Sequence, residues 1–281
     1  MTAQQTVHRR SIVVDGLTTG YLEAGAGEPV VLLHGGEFGA DADVAWEHTI
    51  PALATRYRVV APDQLGYGRT AKVIDFVEGR RLRIRHVARF CATLGIESAA
   101  FVGNSMGAVN LLVDATSAAP MLPVRRLVAI CGGGEILRNE HVDALYDYDA
   151  SPPAMRRIVA ALFHDPSYPA DDEYVRRRFA SSTAPGAWEA IAAARFRRPH
   201  APAGGPGHAE PDYARIAVPS LFVEGGADKL KPAGWAKQLA DLVPGGRSYV
   251  VDRAGHCPQI ERPTVVNNLL LDFLAEDMGD R

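Results

Sequence analysis

Short apolar segments alternate with amphipathic ones along most of this chain of 281 residues. Apolar runs occupy residues 30–34, 57–61, 99–102 and 126–131, and glycine follows three of them directly. Runs of this length with no polar face predict strands that are buried on both sides, as in a parallel sheet. Residues 80–94 carry apolar side chains at mostly helical spacing. This rhythm constrains the fold to a layered α/β architecture with helices between the strands.

The two ends of the chain extend the same pattern. Residues 11–15 and 18–24 predict two antiparallel strands, because Asp15-Gly16 between them supplies the positive φ of a tight hairpin. A helical stretch is predicted at residues 46–55. Beyond residue 214 the sequence predicts strands at 220–223 and 248–251 and helices at 232–243 and 263–274.

Residues 135–214 interrupt this alternation. They contain no clear strand, they are rich in Arg, Asp and Pro, and residues 199–207 form a Pro- and Gly-rich stretch that predicts a loop. The simplest interpretation is one core made of residues 1–134 and 215–281, with residues 135–214 as a helical insertion.

Composition excludes several classes of function. The chain has 30 Lys and Arg against 33 Asp and Glu, a net charge of −3, so it offers no positive excess for nucleic acid. Its apolar runs are far shorter than the roughly 20 residues of a membrane-spanning helix, and residues 1–10 show no secretory signal. The 3 widely spaced cysteines suit neither a disulfide framework nor a paired zinc site. We therefore expect a soluble cytoplasmic protein with reduced thiols and with neither a nucleic-acid nor a membrane partner.

The segment Gly103-Asn104-Ser105-Met106-Gly107 follows a predicted strand and precedes the helical run 108–115. Glycines on both sides of the serine remove the Cβ clashes that a sharp strand-to-helix turn would impose, so the hydroxyl can stand clear of the sheet. This context is typical of a nucleophile elbow, and Ser105 is the candidate nucleophile.

A serine hydroxyl is a weak nucleophile unless a base takes its proton and a carboxylate orients that base. Asp228 follows the strand at 220–223, and His256 follows the strand at 248–251. Because the carboxyl ends of parallel strands meet at one edge of a sheet, both residues are expected near Ser105. The sequence therefore predicts a catalytic triad in the chain order Ser105, Asp228, His256.

Each partner of the serine has competitors. His34 also follows a strand, although its place before Gly35-Gly36 suits the shaping of a turn. The competing acids, whose charge a surface position would explain, are Asp252, Asp241 and Glu224.

An oxyanion that develops on the substrate needs two fixed N–H donors. Met106 follows the nucleophile at a helix N-terminus and Gly36 lies in the loop after His34, so these two are the predicted donors, with Gly35 as a substitute. No metal or cofactor is expected, because the His and Asp residues never approach ligand spacing in the sequence.

As a set, these residues resemble the α/β-hydrolase fold superfamily over nearly the whole chain. The segments that carry the resemblance stand in its usual order: His34-Gly35-Gly36, Asp63 to Thr70, Gly103 to Gly107, Asp228, and Gly255-His256 with Glu261-Arg262-Pro263. The resemblance implies a mostly parallel eight-stranded sheet with helices on both faces. It also implies that residues 135–214 form a helical cap, inserted after strand six, that roofs the active site.

Within that superfamily the chain is most similar to the meta-cleavage product hydrolases, which split a C–C bond in dienoate acids made by ring opening of catechols. The similarity lies in the elbow with Asn104, in the loop Gly35 to Ala40, in Gly132 to Gly134 and in the segment Arg176 to Gly186. It implies substrate contacts for Gly35 and Asn104. Ala184 stands where the family usually has the arginine that binds the substrate carboxylate, so either Arg178 or Arg195 replaces it or the substrate lacks the carboxylate.

Three functional hypotheses follow. The first is C–C bond hydrolysis of a 2-hydroxy-6-oxo-hexa-2,4-dienoate, and the second is hydrolysis of an ester, lactone or thioester. The third is a cofactor-free non-hydrolytic enzyme or a ligand-binding receptor on the same fold. Dehalogenase and epoxide hydrolase chemistry is disfavoured, because those enzymes carry an aspartate at the position of Ser105. A small molecule is the expected partner, a homodimer or higher homo-oligomer is left open, and Trp188 is a candidate pocket wall that packing alone would also explain.

Overall fold

The computed structural model describes residues 6–193 and 211–276, which form a sheet of eight strands covered by helices. The strands are β1 (His8–Val14), β2 (Leu17–Ala24), β3 (Pro29–Leu33), β4 (Arg58–Pro62), β5 (Ala99–Asn104), β6 (Val124–Ile130), β7 (Ser220–Gly225) and β8 (Arg247–Val251). Their order across the sheet is β1-β2-β4-β3-β5-β6-β7-β8. Only the pairs β1–β2 and β2–β4 are antiparallel among these strands. The prediction of a mostly parallel eight-stranded sheet is confirmed.

The helices lie between the strands. They are α1 (Ala42–Trp46), α2 (Thr49–Leu53), α3 (Arg80–Thr93), α4 (Met106–Ala115), α5 (Glu140–Tyr146), α6 (Pro152–Leu162), α7 (Ser167–Ala170), α8 (Asp172–Ser182), α9 (Ala187–Ala193), α10 (Trp235–Leu242), α11 (Pro258–Glu261) and α12 (Pro263–Ala275). The predicted hairpin is present, with Asp15 and Gly16 at φ 47° and 81°. Both residues of a two-residue hairpin turn of type I′ need positive φ, which fits this pair.

The sheet divides the core into two apolar layers because successive side chains of a strand point to opposite faces. On β5, Ala99 and Phe101 pack with α3, α4 and α10, whereas Ala100 and Val102 pack with α1, α2 and α12. Side chains of β3 alternate in the same way. Burial of both faces explains why these strands read as continuous apolar runs in the sequence.

Helices α5 to α9 lie between β6 and β7 in the chain and share a third apolar cluster with the loop after β3. Met155, Ile158 and Val159 of α6 form part of this cluster together with Phe38 of that loop. The helical segment therefore packs over the carboxyl-end side of the sheet. The predicted loop at 199–207 lies outside the described residues.

One predicted helix is wrong in detail. Residues 46–55 do not form one helix; α1 ends at Trp46 and α2 begins at Thr49. Pro51 lacks the N–H that a continuous helix would donate to the carbonyl of Glu47, which favours a break there. In the described ranges, no helix combines the length and apolar character needed to span a membrane.

Candidate active site

Ser105 lies at the turn between β5 and α4 with φ 51° and ψ −115°. A positive φ is uncommon for a residue with a side chain, and such strain persists where the surroundings enforce it. Here the turn packs tightly: a Cβ on Gly107 would lie 2.7 Å from the carbonyl carbon of Leu33. The hydroxyl of Ser105 is thereby held at the carboxyl end of β5, where the residue is partly exposed.

A hydrogen-bond chain joins the three residues of the predicted triad. His256 Nε2 lies 2.9 Å from Ser105 Oγ, and His256 Nδ1 lies 2.7 Å from Asp228 Oδ2. The side chains of His256 and Asp228 are buried, with 3% and 2% of their surface exposed. Because Nδ1 faces a carboxylate oxygen it carries the proton, which leaves Nε2 free to accept from the serine hydroxyl.

Asp228 is ionised in this setting. Burial alone would raise the pKa of its carboxyl group, but the positive charge that His256 gains on protonation and a hydrogen bond from its ring outweigh burial, so the pKa is lowered. The backbone N–H of Leu230 donates to the other carboxylate oxygen at 2.8 Å. A buried carboxylate with these partners keeps its charge and fixes the ring of His256.

The three acids that could have taken the place of Asp228 make contacts away from His256 or are exposed. Glu224 accepts hydrogen bonds from the N–H groups of Gly234 and Ala236 at the start of α10, at 2.8 and 3.1 Å. Asp241 pairs with Lys237 on the surface, and Asp252 is exposed.

The predicted oxyanion donors lie side by side. A Cβ on Gly36 would lie 2.8 Å from the Cβ of Met106, which places the loop after β3 against the N-terminus of α4. The hydroxyl of Tyr67 donates to the carbonyl oxygen of Gly36 at 2.8 Å and so fixes the next peptide of the loop, between Gly36 and Glu37. Backbone donors held in this way can face a negative charge on an oxygen without reorganising.

His34 holds this loop in shape. Its Nδ1 lies 2.7 Å from the carbonyl oxygen of Gly35, so it donates there, and its Nε2 accepts the N–H of Gln64 at 2.9 Å. The side-chain amide of Gln64 donates back to the carbonyl oxygen of His34 at 2.7 Å. His34 is fully buried in this network. The network accounts for His34 without a part in proton transfer, as the sequence predicts.

The helical segment is tied to the loops that carry the acid and the base. The N–H of His256 donates to the carbonyl oxygen of Leu162 at the end of α6, at 2.7 Å. Next to Asp228, the amine of Lys229 donates to the carbonyl oxygens of Ala160 and Phe163 at 2.8 and 2.9 Å. Contacts outside the sheet therefore set the position of both triad loops.

Asn104 and Trp188 make contacts within the protein. The side-chain amide of Asn104 donates to the backbone oxygens of Ile130 and His256 at 3.3 and 3.1 Å. Trp188 donates to the backbone oxygen of Tyr148 at 3.3 Å and packs in the cluster of the helical segment. Substrate contacts for these two residues and for Gly35 stay predictions.

Arg178, one of the two arginines that could replace an arginine at Ala184, is paired within the protein. One terminal nitrogen of its guanidinium forms an ion pair with Glu37 Oε1, and the other donates to the hydroxyl of Tyr174 at 3.1 Å. Burial alone would raise the pKa of Glu37, but the charge of Arg178 lowers it, so the carboxylate is ionised. Ala184 lies between α8 and α9, and Arg195 lies outside the described residues.

The thiol of Cys131 lies behind the triad. Within the described ranges, Cys131, Asp228 and His256 form a group whose ligand-type atoms all lie within 4.8 Å of one another. Burial and the charge of Asp228 raise the pKa of this thiol well above its usual value. Asp228 and His256 already bond to each other, so the group fits a triad with a neutral thiol beside it. All three cysteines are free and buried.

Sequence reasoning named Glu37 only as part of a loop motif and missed Cys131, Lys229 and Tyr174 as neighbours of the site. An acidic residue directly after Gly35-Gly36 was a signal for Glu37, since a charge rarely enters a buried loop without a partner. The partner, Arg178, is 141 residues away in α8, and the sequence around Glu37 does not indicate it.

The chain is similar to known proteins both in sequence and in structure. The model of the alpha/beta hydrolase family matches residues 30–269. The 2-hydroxy-6-oxo-6-(2'-aminophenyl)hexa-2,4-dienoic acid hydrolase of Metapseudomonas resinovorans is 34% identical over 271 residues, covering 95% of this chain and 90% of that protein. A 2-hydroxymuconate semialdehyde hydrolase of a Pseudomonas species is 32% identical, covering 95% and 94%.

A solved meta-cleavage product hydrolase from Pseudomonas fluorescens IP01 superposes with a TM-score of 0.83 at 28% identity, covering 94% of this chain and 97% of that chain. The predicted resemblance to meta-cleavage product hydrolases is confirmed by these relatives. The family model covers the sheet from β3 onward together with the helical segment, and the sequence relatives and the solved structure each cover more than nine-tenths of the chain. The chain belongs to the alpha/beta hydrolase family.

Proposed function

We propose that the protein is a serine hydrolase that cleaves a C–C bond in a 2-hydroxy-6-oxo-hexa-2,4-dienoate. The observation that carries the proposal is the hydrogen-bond chain from Ser105 Oγ through His256 to Asp228, at 2.9 and 2.7 Å. The names of the two sequence relatives support the substrate class, because both are named for compounds of this kind. A triad of this form activates a hydroxyl for attack on a carbonyl carbon.

In the first half of the reaction the substrate is prepared and attacked. The dienol becomes a ketone when its 2-hydroxyl loses a proton and C5 gains one. Ser105 Oγ then bonds to C6 as His256 takes its proton, and the N–H groups of Gly36 and Met106 stabilise the charge on the C6 oxygen. The C5–C6 bond breaks, and its electron pair is delocalised toward the C2 ketone, which makes the leaving group a stabilised enolate.

The second half releases the acyl group. His256 first gives the proton taken from Ser105 to the departing enolate. Water then gives a proton to His256 and bonds to C6, and the ester bond to Ser105 breaks as His256 passes that proton to Ser105 Oγ. Asp228 keeps the ring of His256 in the tautomer that can accept a proton in both halves. The free acid leaves, and the serine hydroxyl is restored.

We assign the substrate carboxylate to Arg178. Its guanidinium is fully buried beside the loop that carries Gly36, whereas Ala184 offers no charge. A buried carboxylate without a charged or hydrogen-bonding partner is costly. Arg178 is the residue with which a dienoate would meet this requirement.

A second candidate function is hydrolysis of a small ester or lactone without a carboxylate. The ion pair between Arg178 and Glu37 favours it, because the pair as a whole carries no net charge. Both functions use the same triad and differ in the substrate alone.

Steady-state turnover tests the proposal. A 2-hydroxy-6-oxo-hexa-2,4-dienoate and a short p-nitrophenyl ester are compared for the wild type, for Ser105→Ala and for Ser167→Ala, an exposed serine of α7. We expect a higher kcat/KM for the dienoate in the wild type, loss of both activities in Ser105→Ala, and wild-type values in Ser167→Ala. Turnover of the ester alone supports the second candidate. Activity retained by Ser105→Ala would refute the serine mechanism, and ligand binding without any turnover would favour the receptor hypothesis.

We also propose a cytoplasmic location for this reaction. The three free and buried cysteines support it, because thiols persist in reducing compartments. The expected partner at the site is the small-molecule substrate alone.

A further inference from the structure

The ion pair of Glu37 and Arg178 lies inside the proposed active site. Glu37 directly follows the predicted oxyanion donor Gly36, and a Cβ on Gly35 would collide with its Oε2. The same Cβ position lies 3.4 Å from Oδ1 of Asn104, the residue before the nucleophile. The acid is therefore a neighbour of the reacting groups as well as of Arg178.

The pair changes what Arg178 can offer to a substrate. Of its guanidinium nitrogens, one terminal nitrogen donates to Glu37 and the other to Tyr174, while Nε is buried without a hydrogen-bond partner among the described residues. The side chains of Arg178 and Glu37 are 1% and 6% exposed, so water screens their interaction little. A second carboxylate brought to Arg178 would have only the N–H groups that Glu37 and Tyr174 leave unused, and it would lie near a like charge.

We propose that Glu37 is a specificity-determining residue that holds Arg178 in a neutral pair and thereby lowers the preference of the site for substrates with a carboxylate on the leaving group. An unpaired arginine at this place would select substrates with a carboxylate on the leaving group, whereas the pair accepts uncharged leaving groups as readily as anionic ones. The inference rests on the proposed function for the location of the substrate. It does not depend on whether the bond that is cleaved is C–C or ester.

Two esters that differ in charge test this inference. 5-Acetoxy-2-nitrobenzoate carries a carboxylate on its leaving group, and p-nitrophenyl acetate is its uncharged counterpart with the same acyl group. The quantity measured is the ratio of kcat/KM for the anionic ester to kcat/KM for the neutral ester. We expect a ratio of about 1 or less in the wild type, and an increase on the order of tenfold or more in Glu37→Gln.

The chain offers a matched control. Glu47 pairs at 3.3 Å with Arg177, the residue before Arg178, but both side chains are exposed, at 49% and 38%. Glu47→Gln removes the same charge from the same kind of pair and is expected to leave the ratio and both activities within about twofold, since exposed pairs contribute little. The double variant Glu37→Gln/Arg178→Gln removes both charges and is expected to return the ratio to near the wild-type value.

The outcomes separate this inference from the proposed function. An unchanged or lower ratio in Glu37→Gln would overturn it, and so would a wild-type preference of tenfold or more for the anionic ester. If Glu37→Gln fails to fold, the ratio measured for the wild type still tests the inference, because a strong preference for the anionic ester would overturn it. Failure to cleave a dienoate would overturn the C–C assignment and would leave the ester ratio fully informative about Glu37.

Discussion

At the scale of single residues, the turn that carries Ser105 leaves no room for a methyl group on Gly107. A Cβ there would lie 2.9 Å from the carbonyl oxygen of His34 and closer still to Leu33. Gly107→Ala must therefore push α4 away from the loop that carries Gly36. We expect kcat/KM to fall by about 100-fold or more, since displacements of about 1 Å at reacting groups cost that much. Ala115→Gly, at the other end of α4, controls for lost helix stability and should keep its activity.

Asp228 offers a second test at the same scale. Asp228→Asn keeps the shape of the side chain but allows His256 to turn its unprotonated nitrogen toward the amide, so the ring no longer accepts the serine proton. We expect kcat to fall by a factor on the order of 10³–10⁴ with little change in KM. Asp252→Asn, at an exposed position beyond β8, should match the wild type. Equal losses in the two variants would remove Asp228 from the triad.

The residues that could be predicted are those placed by the sheet. Ser105, Asp228 and His256 each follow a strand. Parallel strands bring their carboxyl ends to one edge of the sheet, and this placement does not depend on the conformation of the loops. Glu37 and Arg178 meet through a loop and a helix of the insertion, whose relative placement depends on packing between distant segments. No periodicity encodes that contact, so neither the pair nor its effect on charge was visible in the sequence.

At the scale of elements, α6 and the loop after it join the helical segment to the loop of His256. Glu261 on α11 accepts the N–H groups of His164 and Asp165 at 2.8 and 2.7 Å, and its other oxygen accepts the N–H of Gly255. One carboxylate thus binds backbone from the insertion and from the residue before His256. The helix α11 itself was not predicted, because a single turn has no measurable period.

We expect Glu261→Gln to loosen this junction. A glutamine has one acceptor oxygen in place of two, and its amide group would face an N–H donor. The expected loss is about 1.5–3 kcal/mol in the free energy of unfolding, the usual range for hydrogen bonds to a charged group. Urea unfolding measures this loss, and kcat should fall with it because His256 is no longer held. Glu189→Gln, exposed on α9, is the control, and a Glu261→Gln variant as stable as the wild type would contradict the junction.

At the scale of the whole molecule, a buried histidine far from the triad links folding to pH. His86 of α3 contacts the hydroxyl of Thr19 on β2 at 2.9 Å and is buried. Burial lowers the pKa of His86 from 6.5 to about 4. Below pH 6.5 the unfolded chain takes up a proton here while the folded protein does not, so the unfolded state is favoured as the pH falls. The contribution of this group is complete above pH 6.5 and is lost progressively toward pH 4.

This link predicts how much a single substitution changes the pH dependence of stability. His86→Gln keeps a polar partner for Thr19 but cannot take up a proton, so the variant should lose less stability than the wild type between pH 7.5 and pH 4.5. The expected difference is about 2.5 kcal/mol, since each pH unit below the unfolded pKa counts for about 1.4 kcal/mol and slight protonation of the folded state at pH 4.5 takes a little away. Urea unfolding at the two pH values measures it, with His8→Gln on the exposed end of β1 expected to follow the wild type. An identical pH dependence in His86→Gln and in the wild type would contradict this prediction. It would show that His86 is protonated alike in the folded and unfolded chain. The buried contact with Thr19 would then have to accommodate a charged ring.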